Sequence, residues 1–150
     1  MQIIKDKQII DDTWSYVEDE AELKAGDICV SLARWKKDKS VLLNHDGKVG
    51  VRLAPADSVA DIADDLKDIQ LIELNFPSFG DGRCFSHAWL LRSRYHYQGE
   101  LRASGQCLPD QAYYLSRVGV NAFSFAKAED LPVALSALND FTVNYQQSIN

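Results

Sequence analysis

The residues best suited to chemistry lie in one stretch, Phe76-Pro77-Ser78-Phe79-Gly80-Asp81-Gly82-Arg83-Cys84-Phe85-Ser86. The run before it, Leu71 to Phe76, is short, apolar and bounded by turn residues, which predicts a buried strand. The run after it, Arg83 to about Tyr95, predicts a helix. Such a strand-to-helix connection opens at the carboxyl edge of an α/β sheet, where ligands are held. Gly80 and Gly82 allow close backbone approach, Asp81 is placed to cap the helix, and Arg83 and Ser86 fall in its first turn. The free N–H groups of that turn attract an anion, and the Arg83 guanidinium adds to the attraction.

The second such loop is Gly105-Gln106-Cys107-Leu108-Pro109-Asp110-Gln111. Cys107 stands just before a helix start, a setting that lowers thiol pKa, so it is the candidate nucleophile. His45, His87 and His96 show no metal-ligand spacing. Arg83, His87 and Arg94 share one side of a regular helix, a candidate anion face, beside an apolar stripe of Cys84, Ala88, Leu91 and Tyr95. Neither the dinucleotide glycine pattern nor the phosphate loop ending in Gly-Lys-Ser/Thr occurs.

Composition narrows the classes. With 150 residues the chain suits one domain, residues 1–25 forming an N-terminal hairpin and connector. A formal charge of −6 argues against nucleic-acid and anionic-membrane partners, unless a local patch such as Arg83, Arg92, Arg94 and Arg102 overrides it. The start lacks the apolar core of a signal peptide and no run reaches membrane-spanning length, so a cytoplasmic location is expected. Cys29, Cys84 and Cys107 are odd in number and far apart, which predicts buried free thiols and no metal or iron–sulfur centre.

Ile3-Ile4 and Ile9-Ile10 around Lys5-Asp6-Lys7-Gln8 predict a hairpin. Strands are expected at 28–32, 49–53, 71–76, 100–104 and 120–125, and helices at 33–43, after Pro55, from Arg83, from Pro109 to Gly119, and from Asp130. About five strand–helix units require parallel pairing. The expected fold is a single α/β domain: an open, mostly parallel sheet with helices on both faces and the hairpin at an edge. A partial β/α barrel is the alternative. Glu73 shares a face with Leu71 and Asn75, and Arg102 with Glu100 and Ser104, so the two charges are expected to pair across neighbouring strands.

Phe79-Gly80-Asp81-Gly82-Arg83, Leu90-Leu91-Arg92-Ser93-Arg94-Tyr95, Gly99-Glu100-Leu101-Arg102-Ala103 and Asp110-Gln111 resemble a bacterial family of unknown function, domain of unknown function 934. Ile4-Lys5-Asp6, Leu32-Ala33-Arg34-Trp35, Gly50-Val51-Arg52-Leu53 and Asp140-Phe141-Thr142-Val143-Asn144-Tyr145-Gln146 extend the likeness nearly end to end. Cys84 and Pro109 depart from it, standing where the family pattern has glycine and arginine. The resemblance implies a probable oxidoreductase involved in sulfite reduction, a label that reflects association with assimilatory sulfite reductase. No cofactor fingerprint and no Cys-x-x-Cys pair accompany it, which places siroheme and iron–sulfur chemistry in another protein and leaves any cofactor of this chain unassigned.

The leading reading is an accessory protein of sulfite reduction with sulfite reductase or a small sulfur oxyanion as partner. The candidate anion-binding residues are Gly80, Asp81, Gly82, Arg83, Ser86, Arg34 and Gln106. The alternatives are a small oxidoreductase or thiol enzyme using the 80–86 and 105–111 loops with Cys107 or a flavin, and a non-catalytic scaffold or homodimer module.

Overall fold

The computed structural model describes residues 1–78 and 82–145, with backbone alone for 140–145. Gly80 and Asp81 therefore lie outside the described residues. The chain opens with the expected hairpin, β1 (Gln2–Lys5) and β2 (Gln8–Asp11), in which Lys5 faces Gln8. The two turn residues, Asp6 and Lys7, take φ of 50° and 65°, the positive values that match a tight turn to the strand twist.

The remaining strands are β3 (Ser15–Tyr16), β4 (Ile28–Ser31), β5 (Val49–Leu53), β6 (Leu71–Phe76), β7 (Glu100–Gly105) and β8 (Ala122–Phe123). They form one sheet in the order β2-β1-β8-β7-β6-β5-β4-β3, with β3 to β8 parallel throughout and β1 antiparallel to β8. Each parallel strand takes the place next to its predecessor. Right-handed crossovers repeated in one direction set every helix on the same face, and the sheet curls away from them into a half-barrel. The mostly parallel α/β sheet with its hairpin stands as expected, in the partial-barrel form, with helices on one face instead of both.

Strand alternation divides the two faces. Val30, Val51, Leu53, Ile72, Leu74, Phe76, Leu101, Ala103 and Phe123 point to the helices and build the core. Trp35, Leu42, Cys84, Ala88, Leu91, Ala112, Leu115, Leu131, Ala134 and Leu138 complete it from the helix side. The intervening residues, Cys29, Arg52, Glu73, Asn75, Arg102 and Ser104, face the concave side.

Helix α1 (Leu32–Leu43) is capped by Ser31, whose Oγ accepts from the Arg34 N–H at 3.1 Å. The segment Val59–Asp68 is a 3₁₀ helix. Its sequence places β-branched Val59 and Ile62 among four aspartates, all poor α-helix formers. The helix expected from Arg83 to Tyr95 is α2 (Arg83–Trp89) followed by one π-helical stretch, Leu90–Arg94. Helix α3 (Ala112–Arg117) is preceded by a 3₁₀ turn at Pro109–Gln111 and followed by Gly119 at φ 104°, the expected stop. Helix α4 spans Asp130–Tyr145. The expected strand 120–125 contracts to two residues, and β3 occupies part of what the sequence presents as a connector.

Candidate functional site

The concave face of the half-barrel holds a cavity of about 400 Å³, lined by residues of β3 to β7, by the loops after β7 and β8, and by Met1, Asp12 and Trp14. Its floor is polar because the alternation that turns Ile72, Leu74 and Phe76 into the core turns Glu73 and Asn75 the other way. Arg52, Glu73 and Arg102 stand in one row across β5, β6 and β7.

Arg52 is the pivot of the site. Its Nε donates to Glu73 Oε2, and its guanidinium lies 3.7 Å from the centroid of the Tyr16 ring. Carboxylate on one edge and aromatic face below fix the guanidinium plane. Its two Nη groups carry no protein hydrogen bond among the described residues, and the side chain remains 31% exposed toward the cavity. Ser104 Oγ donates to the same Glu73 oxygen at 2.9 Å, so that oxygen is held from two sides.

Arg102 is more deeply set, at 3% exposure. Its Nε and Nη2 donate to Glu100 Oε2 at 3.0 and 2.8 Å, and Nη1 donates to Asp12 Oδ1 at 3.1 Å. Burial opposes its charge, but Glu100 and Asp12 outweigh burial and hold the guanidinium pKa above its ordinary value. The expected partnership of Glu73 with Arg102 is therefore corrected. The strands are neighbours and the residues are opposite, yet Glu73 takes Arg52 and Ser104, and Arg102 takes Glu100 and Asp12. Cys29 sits on the same face at 2% exposure. Burial, reinforced by the Glu73 charge, pushes its thiol well up against the opposing pull of Arg52 and Arg102.

Gly105 closes β7 at φ 82°, and a Cβ there would lie 2.4 Å from the Phe76 carbonyl oxygen. That close approach lets the Gln106 N–H donate to the same carbonyl at 2.8 Å and brings Gln106 to the cavity rim.

Of the candidate residues named from sequence, Gln106 lines this cavity. Gly82, Arg83 and Ser86 sit exposed at the start of α2, a helix of only seven residues. Arg34 is buried on α1, donating to Asp38 at 2.6 Å and to the carbonyls of Glu18 and Asp19 at 2.8 and 2.7 Å, which makes it a clamp on the acidic connector. Cys107 is buried at 5% exposure, and that burial pushes its thiol up to about 12, against thiolate formation.

The basic cluster and the helix face of Arg83, His87 and Arg94 also dissolve. His87 Nε2 meets the Pro55 carbonyl at 3.1 Å in the interior, and Arg94 follows through a π-helical stretch that breaks the regular helical projection. Arg92 turns to the carbonyls of Gly119, Tyr97 and Gly99 at 3.0, 2.6 and 2.8 Å.

Arg52, Glu73, Asp12, Trp14 and Tyr16 escaped the sequence search for a site. Arg52 and Glu73 carried a usable signal, each a charge within an apolar strand run. Tyr16, on a two-residue edge strand, and Trp14, in the segment before it, carried none, since neither stretch has a period to detect. The site can hold a polar group between a fixed guanidinium and carboxylates, against aromatic walls from Trp14, Tyr16 and Phe125. Among the described residues no group of three or more His, Cys, Asp or Glu gathers to hold a metal ion, and no helix is long and apolar enough to cross a membrane.

A family model described as bacterial protein of unknown function (DUF934) matches residues 50–150, from β5 onward. No curated protein matches the chain. The matched span contains Arg52, Glu73, Asn75, Arg102, Ser104 and Gln106; Asp12, Trp14, Tyr16 and Cys29 precede it.

Proposed function

Because the chain belongs to the bacterial family of unknown function that spans its residues 50–150, we propose that it is an accessory protein of assimilatory sulfite reduction. In this reading it holds an anionic group, a small sulfur oxyanion being the simplest, in the concave cavity and works with a partner sulfite reductase. The link to sulfite reduction rests on the family likeness. The ligand half rests on one observation: the Arg52 guanidinium is braced by Glu73 and Tyr16, its Nη groups have no protein hydrogen bond among the described residues, and the side chain lines the cavity, partly exposed. Two parallel N–H donors on a rigid plane match a two-oxygen acceptor.

The cavity lies over the carboxyl ends of β6, β7 and β8, where Asn75, Ser104, Gly105, Gln106 and Ser124 reach it. Parallel α/β sheets bind ligands at that edge. Titration calorimetry of the protein with sulfite and with sulfate tests the ligand half. Arg52→Gln should weaken binding by about 1.5–3 kcal/mol, the worth of a charge-assisted contact. An equal loss in Arg83→Ala with none in Arg52→Gln would move the site to the start of α2. Copurification of the tagged protein with sulfite reductase from native cells tests the partner half, and its absence under crosslinking would remove it.

A further inference from the structure

We propose that the ligand of the concave cavity is the zwitterion of an α-amino acid, an inference that rests on reading the open edge of Arg52 as the seat of an anionic group. The ion pair at the cavity floor is unsaturated on both sides. Arg52 uses Nε on Glu73 Oε2 and leaves Nη1 and Nη2 without a protein acceptor among the described residues. Glu73 Oε2 also accepts from Ser104, while Glu73 Oε1 has no donor among the described residues. Among the described residues the Asp12 carboxylate is engaged only through Oδ1, by Arg102 and by the Trp14 N–H at 3.0 Å, and no donor meets its Oδ2. A paired donor and an empty carboxylate acceptor thus lie side by side, bridged by one salt bridge. An α-carboxylate and an α-ammonium, joined through a single carbon, present the complementary pair.

The signs of the lining point to the same ligand. Its charged side chains are Arg52 and Arg102 against Asp12 and Glu73, and Met1, with the terminal ammonium, lines it too. An inorganic oxyanion on Arg52 has the Glu73 carboxylate as a neighbouring like charge, whereas the ammonium of an amino acid turns that carboxylate into a partner. A zwitterion meets both signs with no net charge to desolvate. Size points the same way, because about 400 Å³ exceeds what a bare oxyanion fills and falls in the range of organic-ligand pockets. Trp14 and Phe125 supply apolar wall for a side chain beyond the head group.

The test is titration calorimetry of the full chain with the standard L-α-amino acids, beside sulfite. For the tightest-binding amino acid, the deaminated acid and the decarboxylated amine should each bind at least about tenfold more weakly, since each leaves a charged partner unmatched. Arg52→Gln and Glu73→Gln, which remove or unbrace the guanidinium, should weaken both ligands, whereas Asp12→Asn should weaken the amino acid more than sulfite. Sulfite binding with no amino-acid binding would overturn the zwitterion and leave the anion site standing. A deaminated acid as tight as its parent would do the same. Binding of neither sulfite nor any amino acid would bring down both readings.

Discussion

Arg52 and Glu73 stand opposite each other in register on β5 and β6, and their side chains close an ion pair over the cavity floor. Glu73 is nearly enclosed, while Arg52 keeps part of its guanidinium in the cavity. The pair therefore acts as a positioning device more than a source of stability. A double-mutant cycle in urea on Arg52→Ala and Glu73→Ala should give a coupling of about 1 kcal/mol, as for partly solvated pairs. A coupling several times larger would mean that the guanidinium is withdrawn from solvent and closed to ligand.

Arg102 carries the opposite expectation. It is buried and pairs with both Glu100 and Asp12, so Arg102→Ala leaves Asp12 without its cation and Glu100 with Lys5 alone, and should cost about 3–5 kcal/mol in urea unfolding. The cycle between Arg102 and Glu73, residues directly opposite but paired elsewhere, should show coupling well below that between Arg102 and Glu100.

Arg92 ties the chain after the π-helical stretch to the end of α3, donating to the carbonyls of Tyr97, Gly99 and Gly119. One planar fork serves three acceptors on two loops. Arg92→Lys keeps the charge but has a single nitrogen to offer, so it should lower stability by about 2 kcal/mol, close to Arg92→Ala. Thermal unfolding of the two variants decides this; full retention by lysine would show that charge alone suffices.

Gly105→Ala should destabilise by about 2 kcal/mol or more, combining positive-φ strain with a contact against the Phe76 carbonyl. Because Gly105 leads to the Gln106 contact at the cavity rim, ligand affinity should fall with it. Urea unfolding and calorimetry on one sample check both.

Cys107 is protonated in the native protein up to about 12, against about 8.5 for an exposed thiol. A raised acid pKa means that the native state retains a proton the unfolded state has released. Stability is therefore fully present below pH 8.5 and falls as pH rises toward 12, by at most about 1.4 kcal/mol per pH unit for this group. Cys29, raised for the same reason, steepens the decline. Urea midpoints between pH 7 and 10.5 should fall, and Cys107→Ala should flatten the slope. Iodoacetamide should label neither thiol in native protein at pH 8.

The alternation of β6 and β7 was legible in the chain: Leu71-Ile72-Glu73-Leu74-Asn75-Phe76 and Glu100-Leu101-Arg102-Ala103-Ser104 each sort their side chains onto two faces, because a strand repeats every two residues. The hairpin and the stop at Gly119 were legible too, each being a matter of a few adjacent residues, whereas Ser31, within the expected strand 28–32, emerged as a helix cap only in the structure. Strand order, curl and charge partners were not. Whether helices cover one face or two depends on where each crossover lands, which no local period records. Arg102 had acidic groups on its own strand, on the neighbouring strand and 90 residues away in Asp12. An arginine side chain spans the roughly 4.8 Å between strands as readily as the two-residue step along one. Its partner was therefore set by the curl of the sheet, which swung Asp12 over β7 and left Glu73 to Arg52.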